Sequence, residues 1–347
     1  MLCKRVPSRL ALSVCGVNML IPMATANAKR ALIVGAAGQD GAYLADLLIS
    51  RGYAVLGLVR DISVLSTYPI NINIEIQSVD LSSQIEVGSL LANWQPNEIY
   101  YLATSHESSL EFVFYDQIFS INTRSLAIFL DQIHKQGLAA KLFYASSSNI
   151  FMDTKESPQS ELTPFSPLTV YGAAKVTAMN LIRAYRQKYG VFACSGILYN
   201  HESPRRKEHY LPRKVSKGIA RILDGSATDL ILGQLNTIRD WGHARDYVKA
   251  MWMMLQSPEP VDYIIGSGQA RTVRELLEIA FSSAGLRWER YVKTTVDLDR
   301  PENSVPLIAN TSKISYELGW RPETSFENLI VEMVMHDCST NKLAERT

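Results

Sequence analysis

The sequence predicts an α/β fold, a Rossmann-type doubly wound parallel sheet carrying a smaller C-terminal lobe. Three observations lead there. Short β-branched runs alternate with longer amphipathic ones from residue 31 onward, and a glycine-rich turn directly follows the first run. Beyond about residue 200 the alternation gives way to shorter segments punctuated by Gly and Pro.

Along the chain, a strand over 31–34 is followed by a helix over about 41–51, and strands over 54–59 and 74–79 come next. A helix, a strand over 99–102, a long helix over about 112–137 and a strand over 141–145 follow. A helix over 171–189 and an apolar run over 191–198 extend the same sheet. Pro204, the basic cluster Arg205, Arg206 and Lys207, and Pro212 then mark a change of character. The expected organisation is a leader over 1–28, a sheet domain over 29–200, a smaller lobe over 201–337 partly interleaved with the first, and a tail over 338–347.

Composition narrows the function classes. Of 347 residues, 47% are apolar and 20% charged, enough for a full hydrophobic core without disulfide staples. A balance of 35 Lys+Arg against 34 Asp+Glu, with no basic block, argues against nucleic acid or an anionic membrane as partner. Cys3, Cys15, Cys194 and Cys338 lie far apart, so neither a metal site nor a disulfide framework is expected, and a reducing, cytoplasmic setting fits. Lys4, Arg5 and Arg9 precede an apolar stretch over 10–23, which superficially has the layout of a secretory signal. Asn18 and Pro22 interrupt it, and Met19 and Met23 offer later starts, so a disordered or mis-assigned leader is expected, with a targeting peptide or an ordered extension as alternatives. No stretch is long and clean enough to cross a membrane.

The turn Gly35-Ala36-Ala37-Gly38-Gln39-Asp40-Gly41 sits between the first strand and the first helix. In that context Gly35, Gly38 and Gly41 allow backbone N–H groups to approach a pyrophosphate at the positive end of the helix, with Gln39 and Asp40 beside it. The alternative is a purely structural turn. Arg60, closing the second strand, can pair with a 2′-phosphate and favours NADP, whereas Asp61 next to it points the other way. Asp80 and Leu81 after the third strand are placed to touch an adenine, or else form an ordinary helix N-cap region, and Leu102 ends the fourth strand beside them.

Tyr171 and Lys175 stand at i and i+4 on one helical face, where an ammonium can stabilise a phenolate and bring it toward working pH. Ser146, Ser147 and Ser148 end the fifth strand and point hydroxyls toward the same cleft. Together these residues resemble the extended short-chain dehydrogenases/reductases. Asn200-His201-Glu202-Ser203-Pro204-Arg205-Arg206, the run from Arg239 to Val248, Arg300-Pro301-Glu302 and Leu318-Gly319-Trp320-Arg321-Pro322-Glu323 narrow the resemblance to the GDP-mannose 4,6-dehydratase family, over Arg30 to about Asp337. The resemblance implies NADP, a GDP-sugar substrate of the GDP-mannose type, and C4 oxidation carried by Ser147, Tyr171 and Lys175. It places Asn200 and Lys214 in the substrate lobe, Arg239 on the diphosphate, and Arg300 with Glu302 in a ribose and diphosphate clamp. Arg is suited to such contacts because its fork pairs bidentately with phosphate oxygens. Ser105 matches a sugar contact, His106 reads as structural, and Arg205 and Arg206 read equally as ligand contacts or a solvated basic turn.

Two departures from the family pattern bear on chemistry. The family has a Thr and a Glu where this chain has Ser147 and Asn149. Serine keeps the hydroxyl, but an amide has no carboxylate to take the C5 proton, so elimination is expected to suffer while C4 hydride transfer remains open. Asp153 is a candidate substitute base if its loop folds inward. The loop after the second strand is shortened over 65–70 and carries Asp61 in place of a second arginine, so a homodimer through the helices at 112–137 and 171–189 is expected rather than a tetramer. Three readings follow: a dehydratase-like enzyme, a GDP-sugar C4 oxidoreductase or epimerase without dehydration, and a non-catalytic nucleotide-sugar-binding paralogue.

Overall fold

Strand residues of this chain alternate between two apolar faces, which requires helices on both sides of the sheet. The computed structural model describes residues 28–63, 71, 73–105, 112–296 and 305–344. The leader before Ala28, the shortened loop over 65–70, His106, Arg300 and Glu302 lie outside the described residues.

The main sheet has seven strands, all parallel: β1 (Arg30–Val34), β2 (Ala54–Val59), β3 (Glu75–Ser78), β4 (Glu98–Tyr101), β5 (Lys141–Ser147), β6 (Ala193–Leu198) and β10 (Tyr263–Ile265). Their spatial order is β10-β6-β5-β4-β1-β2-β3. The order reverses between β1 and β4, and that reversal opens a crevice at the carboxyl ends of the strands. In β4, Tyr100 joins the core under α1 (Gln39–Ser50) and α7 (Ala244–Gln256), while Ile99 and Tyr101 join the opposite core. That second core is closed by α2 (Gln84–Trp94), α4 (Ser125–Lys135) and α5 (Val170–Tyr189). Leu126, Phe129, Leu130 and Ile133 form the buried stripe of α4, each contributing about 1.5–3 kcal/mol by its removal from water.

One expectation is corrected. The segment over 112–137 is not a single α-helix but α3 (Phe112–Phe119), a π turn over Ser120–Arg124, and α4. The cause is local. Asn122 turns its amide back to donate to the Ile118 carbonyl at 2.9 Å, and Ser125 Oγ donates to the Ser120 carbonyl at 2.9 Å, so side chains compete with the helical ladder.

The later chain adds to the sheet and builds a third core of its own. α7 packs beside α1, β10 pairs with β6, and the short α9 (Ser312–Leu318) adds Ile314 to the same core. α6 (Leu211–Leu223), with Pro212 in its first turn, packs with α8 (Val273–Ser283) and α10 (Phe326–Ala344) around Ile219, Trp241, Phe281 and Leu329. β7 (Asn200–Glu202) runs parallel to β9 (Ile238–His243), which pairs antiparallel with β11 (Ala270–Thr272). β8 (Leu230–Leu232) and β12 (Val292–Thr294) form a short parallel pair at the edge of this lobe.

Candidate active site

The crevice is built by three turns. After β1, Gly35 adopts φ +98°, and a Cβ there would stand 2.8 Å from the Ala103 backbone nitrogen, so the turn lies directly on the extension of β4. A Cβ on Gly41 would meet the Gly35 carbonyl oxygen at 2.5 Å, which is why α1 can begin so close to the turn. Gly38 differs: a Cβ there meets only the Gly35 oxygen, at 3.4 Å, and faces open space. Gly38 caps α1 without a side-chain hydrogen bond, leaving first-turn N–H groups to an outside acceptor. This cradle fits a diphosphate.

The side chains of Gln39 and Asp40 face β7. Gln39 Nε2 donates to the His201 carbonyl at 3.1 Å, and its Oε1 accepts from Ser203 Oγ at 2.7 Å. The Asp40 carboxylate lies 2.8 Å from His201 Nε2. Burial works against both charges, yet the pairing prevails: Asp40 is held below the usual carboxylate range and His201 above its ordinary value. Beyond them Arg206 Nε lies 3.3 Å from the buried Glu202 carboxylate, whose pKa burial pushes up, and the Arg206 guanidinium covers the Tyr210 ring at 3.5 Å. Arg205 instead pairs with Asp46 of α1 at 2.8 Å.

At the sheet edge of the crevice, Arg60 and Asp61 are exposed just past β2. The Asp61 carboxylate accepts from the Ser63 N–H at 2.9 Å, which holds it below the usual range. Asp80 accepts from Ser82 Oγ at 2.7 Å and from the Ser82 N–H at 2.9 Å, and its own N–H donates to Glu86. Its carboxylate therefore organises the turn into α2. Leu81 and Leu102 pack on the two cores.

Ser147 is the last residue of β5, and Asn149 follows in a 3₁₀ turn over Ser148–Phe151. A Cβ on Gly172 would meet the Asn149 carbonyl oxygen at 2.7 Å, so a glycine after Tyr171 is what lets α5 start against that turn. Burial pushes the Tyr171 phenol up, against the opposing pull of the neighbouring Thr104 and Ser147 side chains. Lys175 is buried, donates to the Ala145 carbonyl at 2.7 Å, and lies 4.6 Å from the Tyr144 ring centroid and 5.4 Å from that of Tyr171.

Lys175 and Tyr171 share one face of α5, but they do not form a direct ion–phenol contact in this structure. The Lys175 ammonium is aimed at a carbonyl rather than at the phenol oxygen, and burial pushes Tyr171 up and Lys175 down to about 7. Desolvation disfavours charge on both. A buried amine of this kind is poised to gain or lose a proton near neutrality.

The loop that carries Asp153, the candidate substitute base, does not fold inward. Asp153 turns outward, with its side chain 48% exposed and paired to Lys155 at 3.3 Å, because its N–H is held by the Ser166 carbonyl at 2.9 Å. Asn149 has its N–H on Ser147 Oγ at 3.3 Å.

On the second lobe, Asn200 Nδ2 donates to the Asp240 carbonyl at 3.3 Å, and Arg239 Nη1 donates to the Ile238 carbonyl at 2.8 Å. Lys214 Nζ is taken up by the Ile231 carbonyl at 2.7 Å. Ser105 is buried, with its carbonyl accepting from Asn122 Nδ2 at 2.9 Å. Sequence reasoning missed Thr104 and Asn122, and left His201 and Glu202 without a role. The cluster Ser120, Asn122, Thr123 and Ser125, whose short polar side chains can bond the helix backbone, is the sequence signal that could have located the π turn.

The sequence model of the family described as GDP-mannose 4,6 dehydratase matches residues 32–333. GDP-mannose 4,6 dehydratase 2 of Arabidopsis thaliana is 38% identical over 329 residues, covering 90% of this chain and 88% of that protein. Among solved structures, dTDP-glucose 4,6-dehydratase from Bacillus anthracis in complex with NAD superposes with a TM-score of 0.78 at 18% identity, covering 91% of this chain and 98% of that one. RMD from Pseudomonas aeruginosa complexed with NADPH gives 0.76 at 20% identity, covering 90% and 99%.

Proposed function

The chain belongs to the GDP-mannose 4,6-dehydratase family, and from that membership we propose that it is a nucleotide-sugar enzyme acting on a GDP-hexose with NADP. The observation that carries the reading is the meeting of Ser147, Tyr171 and Lys175 at the carboxyl end of β5 and the start of α5, on the crevice that also holds the Gly35–Gly41 turn. Gly35, Gly38 and Gly41, with the first-turn amides of Gln39 and Asp40, would hold the diphosphate of the dinucleotide, and Asp80, Leu81 and Leu102 would line its adenine side. Two similar folds carry NAD and NADPH, and Arg60 at the end of β2 favours the phosphorylated form. When bound, NADP supplies a hydride acceptor at C4. The protein's own work is to orient the sugar with Ser147, move the C4 hydroxyl proton through Tyr171 Oη, and keep a titrating amine, Lys175, beneath it. Asn200, Lys214, Arg239, Arg300, Glu302 and Ser105 are assigned to the GDP-sugar.

Asn149 supports a second reading within the same site. With an amide in place of a carboxylate, and Asp153 facing solvent, elimination of the C6 hydroxyl has no base among these two positions. C4 oxidation or epimerisation of a GDP-sugar then becomes the main activity. A homodimer through the segment at 112–137, which holds α3 and α4, and through α5, and a cytoplasmic setting belong to the same proposal.

The test is to incubate the protein with GDP-mannose and NADP and follow cofactor absorbance together with sugar mass. Loss of one water without net cofactor change establishes a working dehydratase. Accumulating NADPH with intact sugar mass less two hydrogens establishes the oxidoreductase. Neither change, and no C4 epimer on chromatography of the sugar, with any GDP-hexose overturns both and leaves a binding protein.

A further inference from the structure

Between the 3₁₀ turn that carries Asn149 and the start of α5 the chain makes an excursion over 152–169, closed at its base where the Ser166 N–H donates to the Ile150 carbonyl at 2.7 Å. From that excursion Gln159 reaches an arm of the later chain over 306–310. The Gln159 N–H donates to the Ile308 carbonyl at 2.9 Å, and the Asn310 N–H donates to the Gln159 carbonyl at 2.8 Å. The side chain is 0% exposed. Its Nε2 donates to the Glu156 and Pro306 carbonyls at 2.5 and 3.2 Å, and its Oε1 accepts from the Ile308 N–H at 2.9 Å and from the Tyr199 hydroxyl at 2.8 Å. Two carbonyls at the nitrogen and an N–H at the oxygen fix the amide, so Tyr199 must donate.

Tyr199 is buried between the end of β6 and the start of β7. Its carbonyl lies 2.7 Å from His201 Nδ1, and His201 Nε2 lies 2.8 Å from the Asp40 carboxylate beside the diphosphate cradle. The next residue, Asn200, donates from Nδ2 to the Asp240 carbonyl at 3.3 Å, and the buried Asp240 carboxylate accepts from the Ala309 N–H at 3.0 Å. Gln159 and Asp240 thus hold the same arm, and each is bonded to one of two successive residues, Tyr199 and Asn200. Neither Gln159 nor Tyr199 is assigned to the ligand.

We infer that Gln159 is a positioning residue: through its hydrogen bond with Tyr199 it fixes β7 against the loop that joins Asn149 to Tyr171, and so sets where the sugar carbon C4 stands relative to the Tyr171 phenol. The inference rests on the proposed action on a GDP-hexose. Both ends of the contact are buried, so solvent does not take it over when one end is removed. A misplacement of about 1 Å between reacting groups costs on the order of 10²-fold in rate.

Tyr199→Phe removes one hydroxyl and keeps the ring, and Gln159→Met removes the amide while the backbone pairing with the arm stays. In the full chain with NADP and GDP-mannose, or whichever GDP-hexose the parent turns over, Tyr199→Phe should lower kcat about tenfold or more. KM for the sugar should move less than about threefold, since the contact orients and does not bind. The double variant should be no slower than Gln159→Met alone, because the two side chains act through one bond. Amide exchange of Asn200, His201 and Glu202 should quicken about fivefold in Tyr199→Phe. A contact that serves the fold alone would lower thermal stability in both variants and leave kcat within about twofold. That result overturns the inference, as does a rise in KM with kcat unchanged. If Gln159→Met does not fold, Tyr199→Phe decides alone. A parent chain that turns over no GDP-hexose sinks the proposed function, and the exchange measurement then decides the latch, which stands if β7 exchanges faster in Tyr199→Phe and falls if it does not.

Discussion

Nε2 of His201 lies 2.8 Å from the Asp40 carboxylate, so β7 is joined to the first turn of the helix that faces the diphosphate cradle. The other ring nitrogen, Nδ1, is 2.7 Å from the Tyr199 carbonyl and must carry a hydrogen to bond it. Both nitrogens then donate, and His201 is a cation in this arrangement.

The pH dependence of that pair follows from its two shifts. His201 is raised above 6.5, so its contribution is complete below 6.5 and is lost as pH rises through the folded value; Asp40 is lowered below 3.8, so its contribution is lost as pH falls through its folded value. The pair is strongest between about pH 4 and 6.5. Asp40→Asn should cost about 1–3 kcal/mol of unfolding free energy at pH 5.5, and less than half of that at pH 8.5, where Asn can donate to the neutral ring. Denaturant titrations at the two pH values check it. Equal costs at both would show that no charge sits on His201.

The three glycines of the turn separate packing from binding. Gly41→Ala drives a Cβ to 2.5 Å from the Gly35 oxygen and 2.7 Å from Ala36 Cα, and should destabilise the fold by about 1–3 kcal/mol. Gly38→Ala meets nothing closer than 3.4 Å and should lose less than about 1 kcal/mol. Its effect belongs to the ligand: the NADP Kd should rise about tenfold or more as the added methyl keeps the diphosphate from the amides. Calorimetric binding and thermal melts on both variants decide this, and a Gly38→Ala protein that binds NADP normally removes the cradle from the cofactor site.

Lys175 carries a stability cost that depends on pH. Its folded pKa, about 7, lies below the ordinary 10.5, so between those values the unfolded chain binds the extra proton and stability rises with pH. Below pH 7 the buried charge costs roughly 1.4 kcal/mol for each pH unit separating the two values. Lys175→Met removes that cost and also the hydrogen bond to the Ala145 carbonyl at 2.7 Å, worth about 1–3 kcal/mol when left unpaired. The Met variant should be more stable than the parent at pH 6 and less stable at pH 10. A difference of one sign throughout would mean that Lys175 is neutral or solvated across the range.

Restoring the missing carboxylate is the direct test of the elimination step. Asn149→Glu should raise the rate of water loss from GDP-mannose by about 10²–10⁴-fold, the usual worth of a placed acid–base group. Asp153→Asn should change that rate less than about twofold in either background, because Asp153 faces solvent beside Lys155. If Asp153→Asn abolishes water loss in the parent chain, the loop closes over substrate and Asp153 is the base after all.

Much of this was legible in one dimension. Strand and helix alternation, the Gly35–Gly41 turn and the Tyr171–Lys175 spacing are local patterns, and the structure keeps each within a residue or two of where the sequence puts it. Local periodicity reports which face of an element is apolar and which turn needs glycine, and neither depends on the rest of the chain. The aim of Lys175 at a carbonyl and the Asp40–His201 pair depend on residues far apart in sequence, whereas the break in the helix at Ser120–Arg124 and the outward turn of Asp153 come from nearby polar contacts that hydrophobic periodicity does not report. Whether a carboxylate is a base or a solvated surface group, and whether an ammonium at i+4 meets its phenol, is decided by desolvation and by which partner lies within 3 Å. Those quantities exist only once β5, β7, α1 and α5 have closed around the same crevice.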